Sequence, residues 1–140
     1  LLDALMPAHV VFRQVDDKPA GFSTKWVKGI IREQLGFGGV VFSDDLSMKA
    51  AHVAGDAGDR LAAALSAGCD MGLVCNDREA AQLALIRLQS EPSLADSNSG
   101  QRLAIMKAVL PTCRGTLTQT MQNDQNWLRY QHHVQQHFFA

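Results

Sequence analysis

Through the first ninety or so residues, short unbroken apolar runs alternate with longer stretches in which apolar residues recur three and four apart. The runs read as strands buried on both faces and the periodic stretches as amphipathic helices. Three such pairs can be counted, the signature of βα units feeding a parallel sheet. The first strand is expected around His9-Val10-Val11-Phe12. After a polar loop with Pro19 and Gly21, Ser23 or Thr24 can cap a helix through about Leu35, with Val27, Ile30, Ile31 and Leu35 on one face and Gly36 as its stop. The second strand spans Val40 to Ser43, followed by a loop to Gly55 and a helix from about Asp56 to Ala67. Ala62, Ala63 and Ala64 favour helix and close packing there, and Gly68 ends it. The third strand, Met71 to Val74, leads through an N-cap signal at Asn76-Asp77 into a helix whose Ala81, Ala84, Leu85 and Leu88 share a face.

From Ser90 to Gly100 the residues turn to Ser, Asp, Asn and Pro, which reads as a linker or exposed loop. Beyond it a short helix near Gln101 to Val109 and a longer one from about Thr118 to Phe138 are expected, the latter with Trp127, Tyr130, Val134 and Phe138 as its apolar stripe. This tail is expected to pack on the outside of the α/β body. Three parallel strands cannot close a barrel, and an open edge invites pairing or aggregation. Either other chain segments complete the sheet or the piece is marginal alone. A start at Leu1, without Met and directly before an apolar run, reads as the loss of a natural beginning.

Composition narrows the function. A chain of 140 residues with 46% hydrophobic content can bury a sizeable core. A formal charge of −1 offers no large basic field, which disfavours nucleic-acid and anionic-membrane partners and suits a small neutral substrate. Cys69, Cys75 and Cys113 are odd in number and form no Cys-x-x-Cys pair, so reduced thiols in the cytoplasm are expected. No apolar stretch reaches the roughly 20 residues of a membrane span, and Leu1-Leu2-Asp3 lacks the basic flank of a signal peptide.

The candidate chemistry lies where Val40-Val41-Phe42-Ser43 ends on two adjacent carboxylates, Asp44 and Asp45. In a parallel α/β architecture that exit is where active sites sit. Either residue could instead cap the following helix, but only one of an adjacent pair can do so, and ionised carboxylates at the end of a dry strand are costly unless hydrogen-bonded or used. Other signals are weaker. His9 reads as a residue shaping the pocket floor, and His52 as a solvated loop residue. His133 and His137, four apart on the last helix, lack a Glu after the first His and a third ligand, so a solvated face is the reading there. Ser43 has no Gly-x-Ser-x-Gly context, and Gly36, Gly38 and Gly39 precede the strand with no Gly-Lys-Ser/Thr after them, unlike a phosphate loop.

The segment Leu35-Gly36-Phe37-Gly38-Gly39-Val40-Val41-Phe42-Ser43-Asp44-Asp45-Leu46-Ser47-Met48 resembles the nucleophile segment of glycoside hydrolase family 3, in the branch of cytoplasmic bacterial β-N-acetylglucosaminidases of cell-wall recycling. The likeness extends to Asp3-Ala4-Leu5-Met6-Pro7-Ala8-His9-Val10, similar to that branch's sixth barrel strand. It continues through Leu65-Ser66-Ala67-Gly68-Cys69-Asp70-Met71 and Leu73-Val74-Cys75-Asn76, similar to its eighth. It is strong over roughly residues 1 to 90 and weak in the tail. It implies the C-terminal part of a (β/α)8 TIM barrel, about three βα units in residues 1–92, with a linker and C-terminal helices in 93–140. It further implies that Asp44, the Asp directly after Ser at the end of the seventh strand, is the nucleophile of a retaining double displacement on an N-acetylglucosaminide such as a muropeptide, with no metal or organic cofactor. Asp45 is then expected to order the loop through backbone hydrogen bonds. The family's acid/base, a histidine on a mobile loop after the fifth strand preceded by a Lys-His motif, has no counterpart among the five histidines of this chain. Two alternatives stay open: a silent piece that pairs with another copy or with the missing barrel half, and an enzyme using Asp44 and Asp45 around a divalent cation.

Overall fold

The structure, a computed structural model, describes residues 2–108 together with residues 125, 128 and 129. Three strands, β1 (Ala4–Leu5), β2 (Val40–Asp45) and β3 (Met71–Leu73), form a parallel sheet in the order β1-β2-β3. Ala4 pairs with Val40 and Leu5 with Val41, while Phe42 pairs with Met71 and Asp45 with Leu73. A π-helix (Lys25–Gln34) connects the first two strands. Helix α1 (Ala57–Ala67) connects β2 to β3, and α2 (Arg78–Ser90) and α3 (Ser97–Ala108) follow. The βα rhythm expected from the apolar pattern is therefore present.

The first strand lies upstream of its expected place. Val10, Val11 and Phe12 are 46%, 41% and 46% exposed, and Val11 makes only an isolated antiparallel bridge to Pro19. Pro7 has no N–H to give a ladder, so β1 stops before it, and the more apolar run after it lies in the loop, with Phe12 against Trp26 at 5.4 Å. Pairing, which apolarity alone does not report, decided the position.

Helix signals fared better. The Ser23 hydroxyl accepts the Trp26 amide at 3.1 Å, the expected cap of the connecting helix. That helix is π-wound, with the Leu35 amide bonded to the Ile30 carbonyl. Each turn takes in an extra residue, so a stripe drawn at the α-period drifts: Val27 is fully buried, whereas Leu35 is 71% exposed. Gly36 adopts φ +63 and closes it. Helix α1 opens with a reciprocal Asp56–Asp59 capping box and ends at Gly68, whose φ of +115 favours glycine. Helix α2 is capped by Asp77, as expected, yet its inner face is Ala80 and Ala84, and Ala81 and Leu85 are exposed. Both faces of α2 carry apolar residues, and the small alanines sit inward where α2 lies close to α1. In place of an open linker over Ser90–Gly100, a short turn at Pro92–Leu94 leads into α3, which starts at Ser97.

The core is Val27, Val41, Leu46, Ala51, Leu61 and Ala64 with Phe22 at its rim. Full burial of a Val or Leu side chain is worth about 1.5–3 kcal/mol, so this cluster fixes the sheet against α1. The compact unit runs from Leu1 to Ala108, and residues 109–140 form a second unit in which Gln125, Leu128 and Arg129 are helical. The rest of the expected 118–138 helix, His133, His137 and Cys113 lie outside the described residues.

Candidate active site

All three strands point the same way, so β2 delivers Asp44 and Asp45 to the sheet's C-terminal end. Between Phe42 and Asp45 the register with β3 shifts, so that Ser43 and Asp44 stand against Gly72 alone. Such a bulge breaks the regular ladder and re-aims a side chain, a device common beside active sites. The Ser43 hydroxyl, fully buried, repairs the break by accepting the Leu73 amide at 2.9 Å. Ser43 is thus a strand fastener.

The two carboxylates have different surroundings. Asp45 accepts the Ser47 amide at 2.9 Å, the Ser47 hydroxyl at 2.8 Å and the Cys75 amide at 3.0 Å. Burial pushes its carboxyl pKa up, but the hydrogen bonds from Cys75 and Ser47 outweigh that and hold it below the ordinary aspartate range. Asp45 therefore ties the loop after β2 to the loop after β3, the ordering role expected of it. Half-buried Asp44 accepts one hydrogen bond among the described residues, from the Asp45 amide to Oδ1 at 2.8 Å.

His9, just past β1, reaches the same place: its Nε2 donates to the Asp45 carbonyl at 3.1 Å. His52 is exposed on the short helix Lys49–Ala54 that follows β2. Arg60 of α1 holds that loop by donating to the carbonyls of Leu46 and Gly55 at 2.7 and 2.8 Å. Among the described residues no three His, Cys, Asp or Glu side chains converge as metal ligands. Neither are any of the described helices long and apolar enough to cross a membrane.

Sequence reasoning left the opposite end of the sheet without a role. Asp70, just before β3, has a fully buried side chain that accepts from the Val41 amide (2.8 Å), Arg32 (2.6 Å), the Ser99 hydroxyl (2.8 Å) and Arg102 Nε and Nη2 (2.8 and 2.6 Å). Burial alone would raise its pKa, and the bonds from Arg102, Val41 and Ser99 with the Arg32 charge bring it below the ordinary range. The neighbouring Cys69 thiol is pushed up to about 12 by burial and then by the Asp70 charge, so it is a buried, inert thiol. A lone carboxylate between Gly-Cys and an apolar strand was the available signal. Its partners, 29 to 38 residues away, were not visible in any local pattern.

A family model described as the glycosyl hydrolase family 3 N terminal domain matches residues 1–127. A beta-hexosaminidase of Pseudomonas aeruginosa is 67% identical over 88 residues, 63% of this chain and 26% of that protein. A beta-hexosaminidase of Bordetella parapertussis is 48% identical over 132 residues, covering 94% of this chain and 35% of that protein. Among solved structures, a glycoside hydrolase family 3 beta-N-acetylglucosaminidase from Paenibacillus superposes with a TM-score of 0.72 at 32% identity, over 83% of this chain and 24% of that one. The chain thus spans about a quarter to a third of the length of these relatives.

Proposed function

This chain belongs to glycosyl hydrolase family 3, and from that premise we propose that it supplies the nucleophile segment of a retaining exo-β-N-acetylglucosaminidase. The reading is that residues 1–92 are the last three or so βα units of a (β/α)8 barrel, followed in 93–140 by a linker and C-terminal helices. The substrate would be a terminal β-linked N-acetylglucosamine on peptidoglycan fragments such as anhydro-muropeptides, and the compartment the cytoplasm. The names of the relatives support the sugar class.

The observation that carries the reading is the contrast at the end of β2: Asp45 is engaged by three donor groups, whereas Asp44 receives one. An ionised carboxylate with free lone pairs at the C-terminal rim can attack an anomeric carbon while the glycosidic bond breaks, giving a glycosyl ester on Asp44. The leaving oxygen must take a proton from an acid. Water then attacks the same carbon, the acid's conjugate base removes its proton, and Asp44 is released with overall retention. Since no histidine of this chain stands in the family's acid/base context, that group and the sugar-holding Lys-His pair would come from the remainder of the barrel, and this chain alone would be inactive.

The test is turnover of a chromogenic β-N-acetylglucosaminide by the full-length protein that carries this chain. Asp44→Ala should abolish it, and undiminished turnover would overturn the assignment.

A second reading has its own observation. Among the described residues no further strand pairs with β1 or β3, and an apolar groove of about 310 Å³ runs along the β1 side, lined by Leu5, Met6, Trp26, Ile30 and Leu35. On this reading the isolated chain persists by covering those edges with a second copy. Size-exclusion chromatography decides: a dimer or larger supports pairing, and a clean folded monomer removes it.

A further inference from the structure

The sheet supports β2 unevenly along its length. On the β1 side pairing covers Val40 and Val41 only, so Phe42 to Asp45 have no strand partner there among the described residues. On the β3 side the ladder is interrupted by the bulge at Ser43 and Asp44. The segment bearing the candidate nucleophile is therefore the least paired part of the strand. One bond from the β1 side reaches it, from His9 Nε2 to the Asp45 carbonyl at 3.1 Å. A carbonyl only accepts, so Nε2 carries the proton. The imidazole is set by the buried Phe22 ring, whose centroid lies 4.9 Å from its own. Its other nitrogen, Nδ1, is buried with no hydrogen-bond partner among the described residues. An unpaired buried nitrogen is a cost, and a hydrocarbon ring in the same place would avoid it.

We propose that His9 is the positioning residue for the Asp44 carboxylate, standing in for the strand partner that β1 does not provide. It acts through the intervening residue: His9 fixes the Asp45 carbonyl, and the Asp45 amide is the group that holds Asp44 Oδ1 at 2.8 Å. Nucleophilic attack depends on that oxygen's placement, and a displacement of about 1 Å can cost on the order of 10²-fold in rate. Sequence reasoning placed His9 on the pocket floor; the geometry points instead to a brace on the attacking group. The inference rests on the reading of Asp44 as nucleophile.

Steady-state kinetics of the full-length protein with a chromogenic β-N-acetylglucosaminide provide the test, comparing His9→Phe, which keeps a ring against Phe22, with His9→Gln, which keeps an N–H donor. His9→Phe should lower kcat and kcat/KM together by about 10- to 100-fold at nearly constant KM, because the transition state is affected and ground-state binding is not. His9→Gln should recover most of that loss. Equal impairment of both variants, wild-type rates in both, or a raised KM with unchanged kcat would each overturn the proposal. If His9→Phe does not accumulate as folded protein, Phe22→Leu, which loosens the imidazole but leaves its donor, should lower kcat at constant KM, and an unchanged kcat would overturn it. Asp44→Ala separates the two readings: if it still turns over, the nucleophile assignment fails, whereas a dead Asp44→Ala beside a fully active His9→Phe removes only the role of His9.

Discussion

Asp70 and Asp44 stand at opposite ends of the same three-stranded sheet, and the chain treats them in opposite ways. At the N-terminal end Asp70 is wholly buried and accepts five hydrogen bonds, three of them from two arginines, leaving its carboxylate no capacity for a reactant. At the C-terminal end Asp44 is half-buried and accepts one among the described residues. A carboxylate saturated with donors is a structural fastener, since its charge is spent on holding the Arg32 helix, β2 and α3 together. One left under-bonded at a strand exit keeps its lone pairs for chemistry. In parallel α/β architectures the two sheet ends divide labour in this way, stability at one and reaction at the other.

Mutation at each end should therefore damage a different property. Asp44→Ala is expected to cost turnover of the full-length protein about 10⁴-fold or more while leaving its urea unfolding midpoint unchanged. Asp70→Ala should do the reverse, leaving two cations facing a hole at a cost of about 3–5 kcal/mol, seen as a lower urea midpoint, with the folded fraction keeping its kcat. If Asp70→Ala instead spared stability and abolished kcat, the division between the ends would collapse.

Acid sharpens the same contrast. The folded-state pKa of Asp70 lies below its unfolded value, so near and below about pH 4 the unfolded chain binds the proton more readily. Its contribution is thus fully present at neutral pH and is lost as the pH falls below about 4. Urea midpoints taken at pH 6 and at pH 3.5 should differ more in the wild-type chain than in Asp70→Asn, and equal pH sensitivity would remove Asp70 from the account of acid stability.

Between the two ends, Gly72 faces the bulge. A Cβ there would run into Leu61 Cδ1, with Leu46 Cδ1 at 3.3 Å, so Gly72→Ala should cost about 1–3 kcal/mol by overpacking. Calorimetry of the variant checks this. The smallest effect is expected away from both ends, at the capping box of α1: Asp56→Ala should lower stability by about 1 kcal/mol without a change in KM.

The legible parts of this chain were those governed by local chemistry. The caps at Ser23 and Asp77 and the stops at Gly36 and Gly68 depend on a side chain and the backbone within a few residues of it, and each stands where its pattern put it, as does the start of α1 near Asp56. Val40 to Ser43 was legible as a strand because it is apolar on both sides. What misled was apolarity without pairing information: His9 to Phe12 forms an apolar run, yet Pro7 and the register with Val40 and Val41 place the strand at Ala4–Leu5. The inner face of α2 was ambiguous because Ala80 and Ala84 compete with larger apolar residues beside them. At the candidate site, Asp44 could be singled out from its motif, but the bond from the His9 ring to the Asp45 carbonyl joins residues 36 apart and needed the fold. Asp70 was hidden for the same reason.

Whether Asp44 bonds covalently to the sugar can be observed outright. The full-length protein, incubated with a fluorinated glycoside that forms the ester quickly and hydrolyses it slowly, should yield on digestion and mass spectrometry one labelled peptide, with the sugar on Asp44. A label on any other residue, or steady turnover of substrate by a protein in which Asp44 stays unmodified, would contradict the reading of this sheet end as the reactive one.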